Sequence, residues 1–374
     1  MRRRFPSGRL RSVARSLDFS ERTLCDRLGL RDAGLLRARD IESYWQKLDA
    51  TPDTTSMWIA FWLLRRPVRS LDFVALLGEE TLTQLQDWGF LRAAEDDLVY
   101  SEVDLYPCRD DYLFTDMAMS KDNSLPHPVY ELGTDSYLLT RTTPRPGGRR
   151  ALDLCTGSGV HAVASAGLYD ESIGVDLNPR ALRFARINAA INGVVCEFLE
   201  GDLYAPVSGQ FDLITINPPF VPTPDTTMQL HRTGGKSGEE LSRRAIAGLP
   251  TYLAEQGTFS MILDFPEMRS STYLERIAGW LGDGSPSSTH EEGWGILLLH
   301  FGFTTLEEYV SMHVPPENFA AELPRYLKSY DRQGIYRIAM GAVIIRRQAL
   351  SFAREEVMLA PSESIADFVH QAFS

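Results

Sequence analysis

The sequence predicts an α/β protein with a doubly wound, mainly parallel sheet that follows a helical front domain. From residue 151 onward, seven short apolar runs alternate with segments of helical periodicity. That order is typical of parallel strands joined by crossover helices. The earlier part of the chain instead shows helical spacing and then a short β-rich region. Because 374 residues exceed one typical domain, we expect a main domain and an accessory one.

The front of the chain gives a helical and then winged-helix-like outline. Apolar residues at helical spacing run from 10 to about 66. Ser70 is placed to cap a short helix, and a second helix ends at Gly89. A hairpin with an acidic tip at residues 95–97 follows. Because a DNA reader needs basic residues on these elements, the acidic ones favour a dimerisation or substrate-covering module.

Changes in composition predict four segments. Residues 1–120 form the helical and winged-helix-like accessory domain, and 121–148 form a linker with one helical stretch. Residues 149–347 form the α/β domain, and 348–374 form a helical tail. The predicted strands are ALDLC, SIGVDL, CEFLEG, FDLITI, GTFSMIL, GILLLHFG and YRIAMGAVIIRR, with helices near 160–168, 179–192, 238–254, 271–281 and 305–311.

Charge and cysteine usage exclude several classes of function. The net charge is −12, although residues 1–40 carry 11 Arg against 5 acids. This start is either a transit peptide, a nucleic-acid arm or a solvated extension, and we favour the extension.

Four cysteines without a CxxC pair, and histidines without HxxxH or HxH spacing, argue against zinc, other metals and disulfides. They favour a reducing, cytoplasmic location, and no apolar stretch is long enough to span a bilayer.

The most informative segment is Asn217-Pro218-Pro219-Phe220, which follows the apolar run 211–216. Open α/β sheets bind ligands at the carboxyl ends of such strands. The Asn217 side-chain oxygen and the Pro218 carbonyl are acceptors, and Phe220 offers a face for stacking. Two fixed acceptors can take both N–H bonds of an NH₂ group and direct its lone pair at an electrophile. The alternative is a rigid turn in which Asn217 caps local backbone.

Other residues occur in the strand order that a nucleoside site needs. Gly157 and Gly159 lie in a turn, DLCTGSG, that ends the first strand and permits close backbone approach. Asp176 ends the next strand, where an acid can accept both ribose hydroxyls. Asp202 can accept from an adenine amino group while the Leu203 N–H donates to a ring nitrogen. Each acid alone could be a cap or a loop carboxylate. Because GxGxxG is absent, the set favours S-adenosylmethionine (SAM) over a dinucleotide.

The ordered motifs DLCTGSG, GVDLNPRAL, EGDLYAP and NPPF resemble those of class I SAM-dependent methyltransferases, in the small-domain branch with an NPP[YF] motif. The resemblance covers about residues 128–265. It implies a Rossmann-like sheet, SAM as cofactor, and methylation of an exocyclic or side-chain nitrogen of a nucleobase or glutamine. More loosely, the whole chain resembles bacterial stand-alone methyltransferases with a winged-helix-like front domain.

The resemblance assigns roles residue by residue. Asn217, Pro218 and Phe220 would hold the acceptor amine and form the catalytic set. The loop from His231 to Glu240 would shape the acceptor site, with His231 or Arg232 as contacts. The cofactor-binding set would be Asp153, Thr156, Gly157, Gly159, Asp176, Leu177, Asp202, Leu203 and Asn217.

Three departures from the family pattern qualify these roles. Cys155 replaces the commoner small residue of the first motif, and we expect a buried, inert thiol. Phe220 keeps the stacking face of the tyrosine form but lacks its hydroxyl. The front domain differs from the helical bundle of release-factor glutamine methyltransferases, so the sequence does not support that substrate.

Several readings of the function stay open at this stage. The acceptor is an amine on a small molecule, a nucleobase or a protein glutamine, and the front domain is a candidate for homodimerisation. In one alternative, the cofactor's own amine attacks its methionine chain, which forms a cyclic amino acid and releases methylthioadenosine. In another, the chain is a winged-helix regulator that binds nucleic acid.

Overall fold

The computed structural model describes residues 7–94, 96–117, 127–224, 234–282, 293–358 and 365–373. The chain divides into two compact units. The front unit comprises Met1–Tyr137, Thr156–Gly167 and Asn178–Phe198, and the sheet unit comprises Leu138–Cys155, Leu168–Leu177 and Leu199–Ser374. No helix of the described ranges is long and apolar enough to cross a membrane.

The front unit begins with helices and continues with short strands, as the sequence predicted. Its elements are α1 (Ser7–Ser16), α2 (Glu21–Leu28), α3 (Ile41–Asp49), α4 (Thr54–Leu63), β1 (Val68–Arg69), α5 (Ser70–Leu77), α6 (Glu79–Asp87), β2 (Leu91–Ala93), β3 (Leu98–Ser101), β4 (Val103–Cys108) and β5 (Asp111–Asp116). Two later helices, α8 (Val160–Ser165) and α9 (Pro179–Asn192), also belong to this unit, and α7 (Thr134–Thr142) lies at the boundary.

Helix α4 forms the centre of the front unit's hydrophobic core. After its polar first turn it is apolar on every side, which is the pattern of a buried helix. Trp58 and Trp62 are buried, and the Trp62 ring makes edge contacts with Phe61 and Phe114. Burial of each such ring contributes about 2 kcal/mol. Asp53 caps the helix by accepting the Ser56 N–H at 2.7 Å.

The predicted hairpin is present in the front unit. Strands β2 and β3 pair antiparallel, and β3 also pairs with β1, which gives the order β1-β3-β2. The prediction for Ser70 was wrong: it is the first residue of α5, and the capping position is Arg69, whose side chain makes no capping bond. Glu95 of the acidic tip lies outside the described residues, and the winged-helix assignment stays a prediction.

Within the described ranges the sheet unit is built on eight strands, one more than predicted. Their order is β13-β11-β12-β10-β9-β6-β7-β8. The seven predicted strands are all present, so the α/β prediction is confirmed. The strands are β6 (Gly148–Leu154), β7 (Tyr169–Asp176), β8 (Glu197–Glu200), β9 (Phe211–Ile216), β10 (Leu253–Met268), β11 (Gly293–Thr304), β12 (Ile335–Gln348) and β13 (Phe352–Val357).

The eighth strand lies where the sequence predicted only a helical tail. Strand β13 pairs parallel with β11, and helix α15 (Ile365–Ala372) follows it. The sequence FAREEV carries little apolar signal because β13 is a largely exposed edge strand. Charged residues are usual at such an edge, since they discourage further pairing.

The helices of the sheet unit include one that the sequence analysis missed. Helix α14 (Pro316–Gln333) follows α13 (Leu306–His313) and contains Pro324. Prolines obscure a helical pattern, although Pro316 stands at the first turn, where its missing N–H costs nothing. The remaining helices are α10 (Glu240–Ala247), α11 (Leu249–Tyr252) and α12 (Tyr273–Leu281).

Candidate active site

The carboxyl ends of three parallel strands lie side by side in the sheet unit. Leu154 of β6 is opposite both Val175 of β7 and Ile216 of β9. Asp176 and Asn217, the next residues along their strands, therefore emerge at the same edge of the sheet. This edge is where an open α/β sheet binds its ligand.

Three predicted cofactor-binding acids lie around the Cys155 thiol. Burial raises the pKa of this thiol well above its usual value, and the charges of Asp176, Asp153 and Asp202 raise it further. The thiol therefore stays protonated, which agrees with the inert cysteine that we expected. Cys155 also has a φ of +53°, a left-handed conformation that strains a residue other than glycine.

Asp153 is linked to the strand that ends at the NPPF motif. Its side chain is buried, and its Oδ1 accepts a hydrogen bond of 2.9 Å from the Thr215 hydroxyl. Because Thr215 lies two residues before Asn217, this bond connects β9, which leads into the NPPF motif, with the start of the DLCTGSG motif at the end of β6. The sequence analysis missed Thr215, whose only signal was a lone hydroxyl in the apolar run FDLITI.

The glycine turn continues the chain directly from Cys155 and belongs to the front unit. Gly157 and Gly159 have φ values of +53° and +85°, which favour glycine at both positions. The Gly159 N–H donates to the Thr156 carbonyl at 2.8 Å. A Cβ at Gly159 would lie 2.9 Å from that of Ala185, so a larger residue would also displace helix α9.

The Asp202 turn lies beside the end of β7. The Gly201 N–H donates to the Asp176 carbonyl at 3.0 Å, and the Asp202 carboxylate pairs with Arg244 at 2.7 Å. Leu203 is buried with a φ of +50°, whereas Leu177 is exposed. The ion pair was not predicted, and it contacts the carboxylate that the sequence predicts as the adenine acceptor.

Part of the predicted acceptor loop packs against the segment that follows Asn217. The Gly234 N–H donates to the Val221 carbonyl at 3.1 Å, and the Thr223 N–H donates to Gly235 at 3.0 Å. A Cβ on Gly238 would lie 2.4 Å from the Phe220 carbonyl oxygen. His231 and Arg232, the two predicted contacts, lie outside the described residues.

A buried ion pair anchors the end of this loop and was also missed. Arg276 Nε donates to Glu239 Oε1 at 2.8 Å, and both side chains are about nine-tenths buried. Burial raises the pKa of the Glu239 carboxyl, and the Arg276 charge opposes that shift. The same guanidinium donates to the Pro266 carbonyl at 2.6 Å, which fixes the loop to β10.

Comparison with known proteins places these motifs in one family. The family model "methyltransferase small domain" matches residues 130–269. The putative protein N5-glutamine methyltransferase of Methanocaldococcus jannaschii is 37% identical over 143 residues, which cover 36% of this chain and 73% of that protein. This chain belongs to the methyltransferase small domain family. It is a SAM-dependent methyltransferase, as the resemblance of its motifs implied.

Two other relatives are similar over this domain and match less of their own length. The release factor glutamine methyltransferase of Deinococcus radiodurans is 34% identical over 154 residues, covering 38% of this chain and 55% of the relative. The ribosomal protein uL3 glutamine methyltransferase of Xanthomonas campestris is 36% identical over 131 residues, covering 30% and 42%. This chain thus spans about half the length of each of these two relatives.

The residues of the sheet unit suit the cofactor of a methyltransferase. SAM carries a positive sulfonium, and the carboxylates of Asp153, Asp176 and Asp202 give this edge a negative potential. The same potential disfavours the phosphates of a dinucleotide. Asp176 also ends a parallel strand, where an acid can accept from ribose hydroxyls.

Proposed function

We propose that this methyltransferase methylates the side-chain carboxamide nitrogen of a protein glutamine held at Asn217, Pro218 and Phe220. The observation that carries the proposal is the strand register, because Asn217 directly follows β9 beside the acid-bearing ends of β6 and β7. The names of three relatives support glutamine as the acceptor class, although the front domain argued against the release-factor substrate that one of these names gives. A nucleobase amine or a small-molecule amine would place the same NH₂ group at the same residues.

The proposed chemistry depends on two fixed acceptors. A carboxamide nitrogen is a weak nucleophile because its lone pair is delocalised into the carbonyl group. When Asn217 Oδ1 and the Pro218 carbonyl accept its two N–H bonds, they orient the NH₂ group and favour a pyramidal nitrogen. Pro218 is buried, so its carbonyl acts in a low-dielectric environment that strengthens the bond. Phe220 provides an apolar face against the planar amide.

When bound, SAM supplies an electrophilic methyl group on its sulfonium. The residues proposed to hold it are those of the predicted cofactor-binding set other than Asn217, whose side chain we assign to the acceptor amine instead: Asp153, Thr156, Gly157, Gly159, Asp176, Leu177, Asp202 and Leu203. The chain's own contribution is positioning and desolvation of the nitrogen, which together account for large rate enhancements. No strong base is needed, because the sulfonium is already a strong electrophile, and the nitrogen releases its proton to bulk water after it has gained the methyl group.

The test of this proposal uses the full chain and three classes of acceptor. The protein is incubated with SAM and a glutamine-containing peptide, a mixed-sequence RNA oligonucleotide or a set of small amines. Mass spectrometry then identifies both the methylated product and the nucleoside by-product. Methylation of the glutamine nitrogen with release of S-adenosylhomocysteine supports the proposal.

Three other outcomes would contradict it. Methylation of the oligonucleotide or of a small amine alone would exclude glutamine as the acceptor class. Methylthioadenosine as the sole by-product would favour the cyclisation alternative. An inactive protein that binds duplex DNA tightly and sequence-specifically would favour the regulator. A peptide with asparagine in place of glutamine controls for the length of the acceptor side chain.

A further inference from the structure

We propose that Asn188 is a positioning residue that fixes the glycine turn for the cofactor by connecting it to strand β5. The inference rests on the proposed cofactor-binding role of Gly157 and Gly159. All residues of this connection belong to the front unit. Strand β5, which lies in the accessory segment 1–120, would then contribute to cofactor affinity through Asn188.

Asn188 lies on helix α9 with a completely buried side chain that makes three hydrogen bonds. Its Nδ2 donates to the Ser158 carbonyl at 2.8 Å and to the Phe114 carbonyl at 2.9 Å. Its Oδ1 accepts the Phe114 N–H at 2.8 Å. Both donors of the amide therefore have partners, and its oxygen has one.

The bond from Asn188 reaches the Ser158 carbonyl, in a part of the backbone that is flexible in the unfolded chain. Ser158 stands between Gly157 and Gly159, both of which have left-handed φ values. Glycines populate many backbone conformations, so ordering this turn costs more entropy than ordering an average loop. A fixed donor on the central carbonyl keeps the turn in one conformation before the cofactor arrives, and such preorganisation increases affinity.

A second asparagine on α9 makes the same bonds to β5. Asn192 Nδ2 donates to the Tyr112 carbonyl at 2.7 Å, and its Oδ1 accepts the Tyr112 N–H at 2.9 Å. Four residues along a helix rise about 6 Å, and two residues along a strand span about 6.6 Å. The spacing of Asn188 and Asn192 along α9 therefore nearly equals the spacing of Phe114 and Tyr112 along β5. The two side chains form hydrogen bonds with the backbone of β5 on the edge that does not pair with β4, as a neighbouring strand would.

The two asparagines differ in one respect that allows a controlled test. Within the described ranges, Asn192 makes no hydrogen bond to the glycine turn, and its remaining Nδ2 bond goes to the Asn188 carbonyl at 2.9 Å. Loss of either side chain therefore weakens the attachment of α9 to β5. Only loss of Asn188 also releases the Ser158 carbonyl.

The experiment compares Asn188→Ala with Asn192→Ala in the full chain. Calorimetric titration measures the Kd for SAM, and thermal unfolding without SAM measures Tm. We expect similar decreases of Tm in both variants, with SAM affinity reduced at least about tenfold only in Asn188→Ala. The KM for SAM should rise in that variant, whereas kcat at saturating SAM should stay within about twofold.

Equal losses of SAM affinity in the two variants would reduce Asn188 to a structural role and overturn the inference. Unchanged affinity in Asn188→Ala would overturn it as well. If Asn188→Ala does not fold, Asn188→Asp and Asn192→Asp repeat the comparison, because aspartate keeps the acceptor and loses the N–H donors. A wild-type chain that does not bind SAM would instead remove the proposed cofactor site itself.

Discussion

The Thr215 hydroxyl donates a 2.9 Å hydrogen bond to the buried Asp153 carboxylate. This bond joins β9, which ends at the proposed amine site, to β6, which leads into the glycine turn. The two residues lie in register opposite one another on neighbouring strands. Their contact therefore helps to fix the position of the proposed amine site relative to β6, the strand that precedes the glycine turn.

Thr215→Val should test this contact, because valine keeps the shape and removes the hydroxyl. Removing one partner of a buried carboxylate should cost about 1–3 kcal/mol of unfolding free energy. We also expect at least a tenfold loss of methyl transfer. Thr215→Ser keeps the hydroxyl and should retain most activity. Equal activity in the valine and serine variants would contradict a role for the bond.

The acceptor loop should be sensitive to Gly238→Ala. This glycine has a φ of +80°, and a Cβ would lie 2.4 Å from the Phe220 carbonyl oxygen. We expect the KM for the acceptor to rise at least tenfold while SAM affinity changes little. Gly279→Ala is the matched control, because Gly279 lies inside α12 with open space around it. This variant protein should be slightly more stable than wild type, since alanine favours the helix more than glycine does. Unchanged acceptor kinetics in Gly238→Ala would refute the packing argument.

The proposed adenine contact predicts different effects for the two partners of the Asp202–Arg244 ion pair. Both side chains are nearly half exposed, so the pair itself contributes about 0–1 kcal/mol to stability. Asp202→Asn should weaken SAM binding about tenfold with little change in Tm. Arg244→Ala should weaken it less, and the exposed neighbour Arg243→Ala should have no effect. Normal SAM affinity in Asp202→Asn, measured by titration, would exclude the contact.

The cap of helix α4 predicts a dependence of stability on pH. The Ser56 N–H, followed by Arg27, lowers the pKa of Asp53 below its usual 3.8. A carboxyl with a lowered folded-state pKa stabilises above the unfolded value, and this stabilisation is lost as pH falls below about 3.8. Asp53→Ala should therefore cost ~1 kcal/mol at neutral pH. Denaturant titrations should show a smaller difference from wild type in acid; a constant difference would exclude the charged cap.

The sequence could predict the sheet, and it could propose members of the site, because both leave local signals. Apolar runs such as FDLITI mark buried strands, and Asp176 and Asn217 stand directly after them. Both residues were therefore predicted to lie at the same edge of the sheet, and the strand register brings their backbones to that edge. Polar edge strand β13 and proline-bearing α14 left no such signal.

The contacts that hold the site in place were not predictable in the same way. Asn188 and Phe114 are 74 positions apart, and Asp153 and Thr215 are 62 positions apart. Neither pairing can be read from local spacing, since it depends on which elements become neighbours in the fold. Glu239 and Arg276 are a further example, because each looks like an ordinary charged residue in the sequence.

The most direct test of the central claim is the activity of Asn217→Ala beside its affinity for SAM. Removal of the side-chain oxygen deletes one of the two proposed acceptors and leaves the acids of the cofactor site in place. We predict that transfer of a labelled methyl group to the acceptor is abolished while the Kd for SAM stays within about threefold, a shift below 1 kcal/mol. Near-normal methyl transfer by Asn217→Ala would show that the NPPF motif does not hold the acceptor amine.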